Sequence, residues 1–119
     1  RILKIQENKS DLYLSIHINY HYHSSVSGAE VLYHPINPNN LVLAESIMDE
    51  FKNDLNTDRE VIKTNLYLYS NTRVPGVLIE CGFISNPNER YLLQKESYQE
   101  KLANSITKGV ENYFKEIEI

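Results

Sequence analysis

The sequence predicts an α/β fold, a central mixed β-sheet flanked by helices, and three observations predict it. Residues Leu12 to Asn19 alternate apolar and polar side chains with the two-residue period of a strand. Residues Val74 to Cys81 are almost continuously apolar, as in a strand covered on both faces. Leu41, Ala44, Met48, Phe51 and Leu55, and later Tyr98, Leu102, Ile106, Val110 and Phe114, recur at three and four residues, each set marking one face of an amphipathic helix.

In chain order, the first strand places Leu12, Leu14, Ile16 and Ile18 on one side and Tyr13, Ser15, His17 and Asn19 on the other, so His17 falls near the strand's carboxyl end. Tyr20 to Ser27, rich in His, Tyr and Ser without a period, reads as a loop, and Gly28 opens a second β-like run from Ala29 to His34. Pro35, Pro38, Asn39 and Asn40 punctuate before the first helix. A polar connection holding Arg59 leads to a strand at Leu66–Ser70 and then to the apolar strand. Asn86-Pro87-Asn88-Glu89 supplies a cap residue, proline at the first helical position and a glutamate three residues after the cap, predicting a short helix that carries Leu92 and Leu93. Ser97-Tyr98-Gln99-Glu100 repeats that logic at the start of a final helix of about five turns.

A chain of 119 residues fits one domain and excludes two. With 41 % hydrophobic and 24 % charged residues it has the composition of a folded protein. Twelve Lys plus Arg against 16 Asp plus Glu give a net charge of -4, which provides no basic footprint for nucleic acid. No apolar run approaches the ~20 residues of a membrane span, and residues Arg1 to Lys9 lack a signal-peptide core. The one cysteine, Cys81, has no partner for an internal disulfide and reads as a core residue, so a metal would have to be held by His and carboxylates.

The chemistry-bearing candidate of greatest interest is Glu80, a carboxylate within Val77-Leu78-Ile79-Glu80-Cys81-Gly82-Phe83, because burying an unpaired ionised carboxylate is very costly. Either it pairs with Arg73 or Arg59 in a buried salt bridge, or it takes part in chemistry. His17 is open in the same way, as a hydrogen-bonded strand histidine or as a metal ligand. On a strand, His17 and His21 stand about 13 Å apart at ~3.3 Å per residue and would not share an ion. His21 and His23 could meet one in an extended loop, but a solvated surface is the plainer reading for loop histidines beside tyrosines, and His34 adds only ambiguity. Nine tyrosines suggest a sugar-stacking platform, yet Tyr67, Tyr98 and Tyr113 fit core positions, and Tyr20, Tyr22 and Tyr33 are left as cleft candidates.

Taken in order, Ser15-Ile16-His17-Ile18-Asn19, Gly28-Ala29-Glu30-Val31-Leu32-Tyr33, Arg59, Val74-Pro75-Gly76-Val77-Leu78-Ile79-Glu80-Cys81-Gly82-Phe83-Ile84-Ser85-Asn86-Pro87 and Tyr98-Gln99-Glu100-Lys101-Leu102-Ala103 resemble the zinc-dependent N-acetylmuramoyl-L-alanine amidases. The run Ile84-Ser85-Asn86-Pro87-Asn88-Glu89-Arg90 with Leu92-Leu93 looks most like the sporulation amidases that act on spore cortex peptidoglycan. The resemblance implies a catalytic zinc held by two His and one Glu, with a further Glu as general base. His17 matches the last metal histidine and Glu80 the catalytic glutamate. The other two ligands lie upstream in the family, so residues 1–119 are expected to be the carboxyl-terminal part of one catalytic domain. A zinc site with an open position lowers the pKa of its water to about 7 and needs a nearby carboxylate to take the proton, which suits Glu80.

The expected function is hydrolysis of the amide between N-acetylmuramic acid and L-alanine in peptidoglycan or muropeptides, outside the cytoplasm at the cell wall or forespore. Two rivals stand beside it. One is an inactive fragment or module that binds peptidoglycan or a protein partner. The other is a different zinc hydrolase of carboxypeptidase type, for which the sequence identifies neither a further His nor an Arg for a substrate carboxylate. The chain alone is expected to bind zinc poorly, to lack amidase activity, and to dimerise or exchange strands through an open sheet edge.

Overall fold

The structure is a computed structural model that describes residues 11–66 and 73–117. Its strands are β1 (Tyr13–Asn19), β2 (Glu30–Tyr33), β3 (Ile62–Lys63) and β4 (Gly76–Phe83), and its helices α1 (Pro38–Asp54), α2 (Pro87–Leu93) and α3 (Glu96–Ile117). The strands form one mixed sheet in the order β1-β4-β2-β3, with β1 parallel to β4, β2 antiparallel to β4 and β3 parallel to β2. The expected α/β class with a mixed central sheet flanked by helices is the fold observed.

Alternation divides the sheet into two faces. Ala29, Val31, Val77, Ile79 and Cys81 point toward α1 and α3 and join Leu43, Ala44, Ile47, Met48, Phe51, Leu102, Ile106 and Tyr113 in the core. The intervening positions carry Ser15, His17, Glu30, Leu78 and Glu80 on the opposite face. Helix α1 starts where Asn37 caps it, accepting from the Asn39 amide, with Pro38 at the first helical position. Asn40, fully buried, ties that start to the sheet: its amide donates to the His34 carbonyl, and its Oδ1 accepts from the Gly76 amide at 2.8 Å. In α3 the buried line is Leu102, Ser105, Ile106, Gly109 and Tyr113. Gly109 is required there, because a Cβ would lie 2.6 Å from the Cα of Ile47.

Several elements differ from the sequence reading. The helix stripes match the seams at Ala44, Met48, Phe51, Leu55, Leu102 and Ile106, which are buried, but they omit the fully buried Leu43 and Ile47 and include Leu41, Tyr98, Val110 and Phe114, which are half-buried. Helix α3 begins at Glu96, placing Ser97 inside the first turn, where the Tyr98 and Gln99 amides donate to the Lys95 carbonyl. β4 runs from Gly76 to Phe83 rather than from Val74 to Cys81. The strand expected at 66–70 lies, apart from Leu66, outside the described residues, as does Tyr67, and the short β3 precedes it. Ile16 and Ile18 point to the helical side yet are 60 % and 53 % exposed. They lie along an open apolar groove of about 450 Å³ with Cys81, Leu102 and Ile106, because β1 is the outer strand among the described residues and α1 lies over β2 and β4. No described helix is long and apolar enough to cross a membrane.

Candidate active site

β1 and β4 run side by side with His17 opposite Glu80. Direct neighbours in a sheet share a face, so both side chains project from the surface that α1 and α3 leave free. Glu30 pairs with Glu80 from the other side, on β2. Three titratable residues therefore form a row across three strands, at the end of the sheet where β1 and β4 terminate.

Immediately after Glu80 the ladder slips, since His17 faces Glu80 but Asn19 faces Phe83. The extra residue is a β-bulge, and Gly82 makes it possible with φ +149°, a conformation that side chains rarely adopt. The bulge brings the end of β4 against Glu89, whose Oε1 accepts from the amides of Phe83 and Gly28, both at 2.9 Å. Glu89 thus anchors two loops to α2. Asn86 caps that helix as the sequence predicts, accepting from the amides of Asn88 and Glu89.

The two central carboxylates differ sharply. Glu30 is 4 % exposed, and its Oε2 accepts from Nε of Arg59 at 2.6 Å, while Asn19 Nδ2 approaches its Oε1 at 3.4 Å. Arg59 is itself held over the Phe83 ring, 5.2 Å from its centroid. Glu80 Oε2 is buried and has no hydrogen-bond partner among the described residues. Burial pushes the Glu80 carboxyl above the usual carboxylate range; the nearby His17 opposes that shift and Glu30 adds to it. His17 is exposed, and its Nε2 lies 2.9 Å from Ser15 Oγ.

The salt bridge offered for Glu80 with Arg59 is therefore made instead by Glu30. Sequence reasoning passed over Glu30 as a site residue, although the signal was the one that singled out Glu80: a carboxylate inside an apolar run, Ala29-Glu30-Val31-Leu32. Cys81 lies in the core, 6 % exposed, and burial followed by the charge of Glu80 pushes its thiol up to about 11. It stays protonated and is no nucleophile. His34 sits at the far end of β2, where its Nδ1 accepts from the Ile36 amide. His21 and His23 belong to the loop after β1, where His21 stacks on Tyr22 and the His23 ring lies tilted against it. The described residues contain no group of three or more His, Cys, Asp or Glu able to hold a metal ion.

A polar row at the carboxyl ends of strands in an α/β sheet is where such folds place ligands, and fold and site together define an α/β domain with a half-buried carboxylate of raised pKa at that end. The chain belongs to the N-acetylmuramoyl-L-alanine amidase family, whose family model matches residues 1–112. It is 42 % identical over 118 residues to the germination-specific N-acetylmuramoyl-L-alanine amidase of Bacillus subtilis, covering 98 % of this chain and 50 % of that protein. It is 33 % identical over 118 residues to the B. subtilis amidase LytC, covering 97 % of this chain and 24 % of that one. Among solved structures, the CwlD amidase of Clostridioides difficile, in complex with the GerS lipoprotein, superposes with a TM-score of 0.91 at 34 % identity, covering 96 % of this chain and 59 % of that chain. The catalytic domain of CwlV from Bacillus (Paenibacillus) polymyxa gives 0.86 at 27 % identity, covering 96 % and 63 %. The chain thus spans half the length of the germination-specific relative.

Proposed function

We propose that this chain forms the Glu80-bearing part of an enzyme that hydrolyses the amide between the lactyl group of N-acetylmuramic acid and L-alanine in peptidoglycan. The observation that carries the reading is Glu80 Oε2, a buried acceptor without a partner beside His17, in a chain of the amidase family. An acceptor left in that state is costly for folding and useful for moving a proton. Glu80 takes a proton from the attacking water at Oε2 and delivers it to the departing amine of L-alanine, so the products are a lactyl carboxylic acid and a peptide with a free amino terminus.

Zinc is the metal implied by the family resemblance, and the residues present fit one corner of its site. His17 is exposed, on the strand next to Glu80, and would supply one ligand. When bound, zinc would lower the pKa of water and polarise the amide carbonyl. Two further protein ligands would come from the remainder of the catalytic domain, of which residues 1–119 are the carboxyl-terminal part in this reading. The similarity to the germination-specific amidase favours spore cortex peptidoglycan as substrate and a place outside the cytoplasm at the cell wall or forespore. A lipoprotein of the kind found with the CwlD amidase is a candidate partner for the full protein.

The rival reading, a module that binds without hydrolysing, is favoured by the absence of a three-ligand group among the described residues. Elemental analysis and muropeptide hydrolysis on the full-length protein separate the two. The expected outcome is about one zinc per chain and release of peptides beginning with L-alanine, with His17→Ala stripping the metal. A full-length protein without zinc and without new amino termini would establish the binding module, and His17→Ala retaining stoichiometric zinc would remove His17 from the ligand set.

A further inference from the structure

The loop that follows His17 is unused by this mechanism, and it is built unusually. His21, Tyr22 and His23 gather their rings into one cluster: His21 and Tyr22 stack at 4.7 Å and 19°, His21 and His23 at 5.4 Å and 25°, and Tyr22 meets His23 at 4.2 Å. Aromatic residues normally gain by burial, yet Tyr22 is 79 % exposed and the preceding Tyr20 69 %. The backbone that carries them is nevertheless held. The His21 amide donates to Ser85 Oγ at 2.9 Å, the His23 amide to His21 Nδ1 at 3.0 Å, and Asn86 Nδ2 to the Ser24 carbonyl at 3.0 Å. Ser85 and Asn86 follow β4, so the cluster is pinned at the end of the sheet where His17 and Glu80 stand.

Composition narrows what such a surface can hold. Residues 20–28 contain no Asp, Glu, Lys or Arg, so the loop presents no permanently charged side chain for a phosphate or a carboxylate and offers ring faces and hydroxyls instead. The cluster has no aliphatic side chain to enter a bilayer or a protein groove. Flat rings that offer C–H-accepting faces, flanked by the exposed hydroxyls of Ser24 and Ser25, match a neutral sugar ring, which presents an apolar C–H face and a rim of hydroxyl and acetamido groups. Because the loop is already anchored, little ordering cost opposes binding.

We infer that the His21–Tyr22–His23 ring cluster is a glycan-binding subsite that seats the N-acetylhexosamine ring adjoining the muramoyl residue whose amide is hydrolysed, a sugar present on a peptidoglycan strand and missing from a single N-acetylmuramoyl peptide. The assignment rests on the proposed function for its substrate, but the cluster's sugar affinity is a separate property. It makes the enzyme prefer amides carried on glycan strands over those on short fragments.

The test uses the full-length protein with Tyr22→Ala, Tyr22→Phe and the triple variant His21→Ala/Tyr22→Ala/His23→Ala. Binding is followed by NMR titration with the N-acetylglucosamine tetramer, and hydrolysis is measured on long glycan strands and on a single N-acetylmuramoyl peptide. Expected for Tyr22→Ala are affinity for the tetramer and KM on strands worse by about 3- to 10-fold, with kcat within about twofold. The single-sugar substrate should be little affected, Tyr22→Phe should behave as wild type, and the triple variant should lose tetramer binding. No tetramer binding by the wild type, equal binding by the triple variant, or equal effects on long and short substrates would overturn the subsite. A protein that binds the tetramer through Tyr22 but hydrolyses nothing would leave the subsite standing and remove the amidase reading.

Discussion

Glu30 and Glu80 are direct neighbours across β2 and β4, on the same face and at the same end of the sheet, yet they live under opposite electrostatic conditions. Glu30 is the more buried and is fully compensated, by Arg59 at 2.6 Å with Asn19 beyond it. Glu80 is less buried and keeps one oxygen without a partner. Arg59 serves the more buried of the two. Its position over Phe83 locks it to Glu30. Glu30 has the partner a structural carboxylate needs, and in the function proposed above Glu80, with its free acceptor, is the one that transfers the proton.

The largest effect expected from this contrast is on turnover. Glu80→Gln preserves shape and removes the proton acceptor, so in the full-length enzyme muropeptide hydrolysis should fall by on the order of 100-fold or more. Its melting temperature should stay level or rise, since an unpartnered buried acceptor is replaced by a neutral group. A destabilised Glu80→Gln protein with near-normal turnover per folded molecule would invert the roles assigned to the two residues.

Next in size is Arg59→Met, which leaves the Glu30 charge buried without its cation. Breaking a fully buried pair costs ~3–5 kcal/mol; with the Arg59 side chain 30 % exposed, about 2–3 kcal/mol is expected in urea unfolding. Adding Glu30→Gln to that variant should restore most of the loss, because neither charge then remains stranded. Glu30→Gln alone should cost about 1 kcal/mol, as the stranded Arg59 still reaches water. If the double variant were no better than Arg59→Met, the arginine's packing on Phe83, rather than its charge, would hold this end of the sheet together.

How much of this was legible in the sequence follows from the range of the interactions. The α/β class, the capped start of α2 and the position of His17 near the end of β1 rest on local periodicity and local hydrogen bonds, and these were readable. The stripes omit Leu43 and Ile47 because burial along α1 and α3 also depends on their mutual contact, where Gly109 meets Ile47, and no stripe within one helix reports that. The bulge at Gly82 and the partner of Arg59 depend on residues from three strands and a loop. Arg59 and Glu30 are 29 residues apart, and nothing local distinguishes Glu30 from Glu80 as its partner. The exposure of Ile16 and Ile18 was hidden for a related reason, since alternation states which face a side chain takes but not whether anything covers that face.

The smallest effect serves as the control for the comparison. Glu89 is a third carboxylate at the same end of the sheet, and it differs from both others in using a single oxygen, Oε1, to accept from two backbone amides, Phe83 and Gly28. Glu89→Gln keeps an acceptor oxygen in reach of both amides and loses only the charge that strengthens those bonds, so about 0.5–1 kcal/mol of stability should be lost. Glu89→Ala removes both bonds and should cost about 1–3 kcal/mol, with the loops around Gly28 and Phe83 showing faster amide hydrogen exchange. Muropeptide turnover by Glu89→Gln should remain within about twofold of wild type, because none of its atoms is needed to accept the water's proton. A hundredfold loss of turnover in Glu89→Gln with its fold intact would mean that removing any negative charge from this end of the sheet disables the reaction. The contrast between Glu30 and Glu80 would then say nothing about which residue moves the proton.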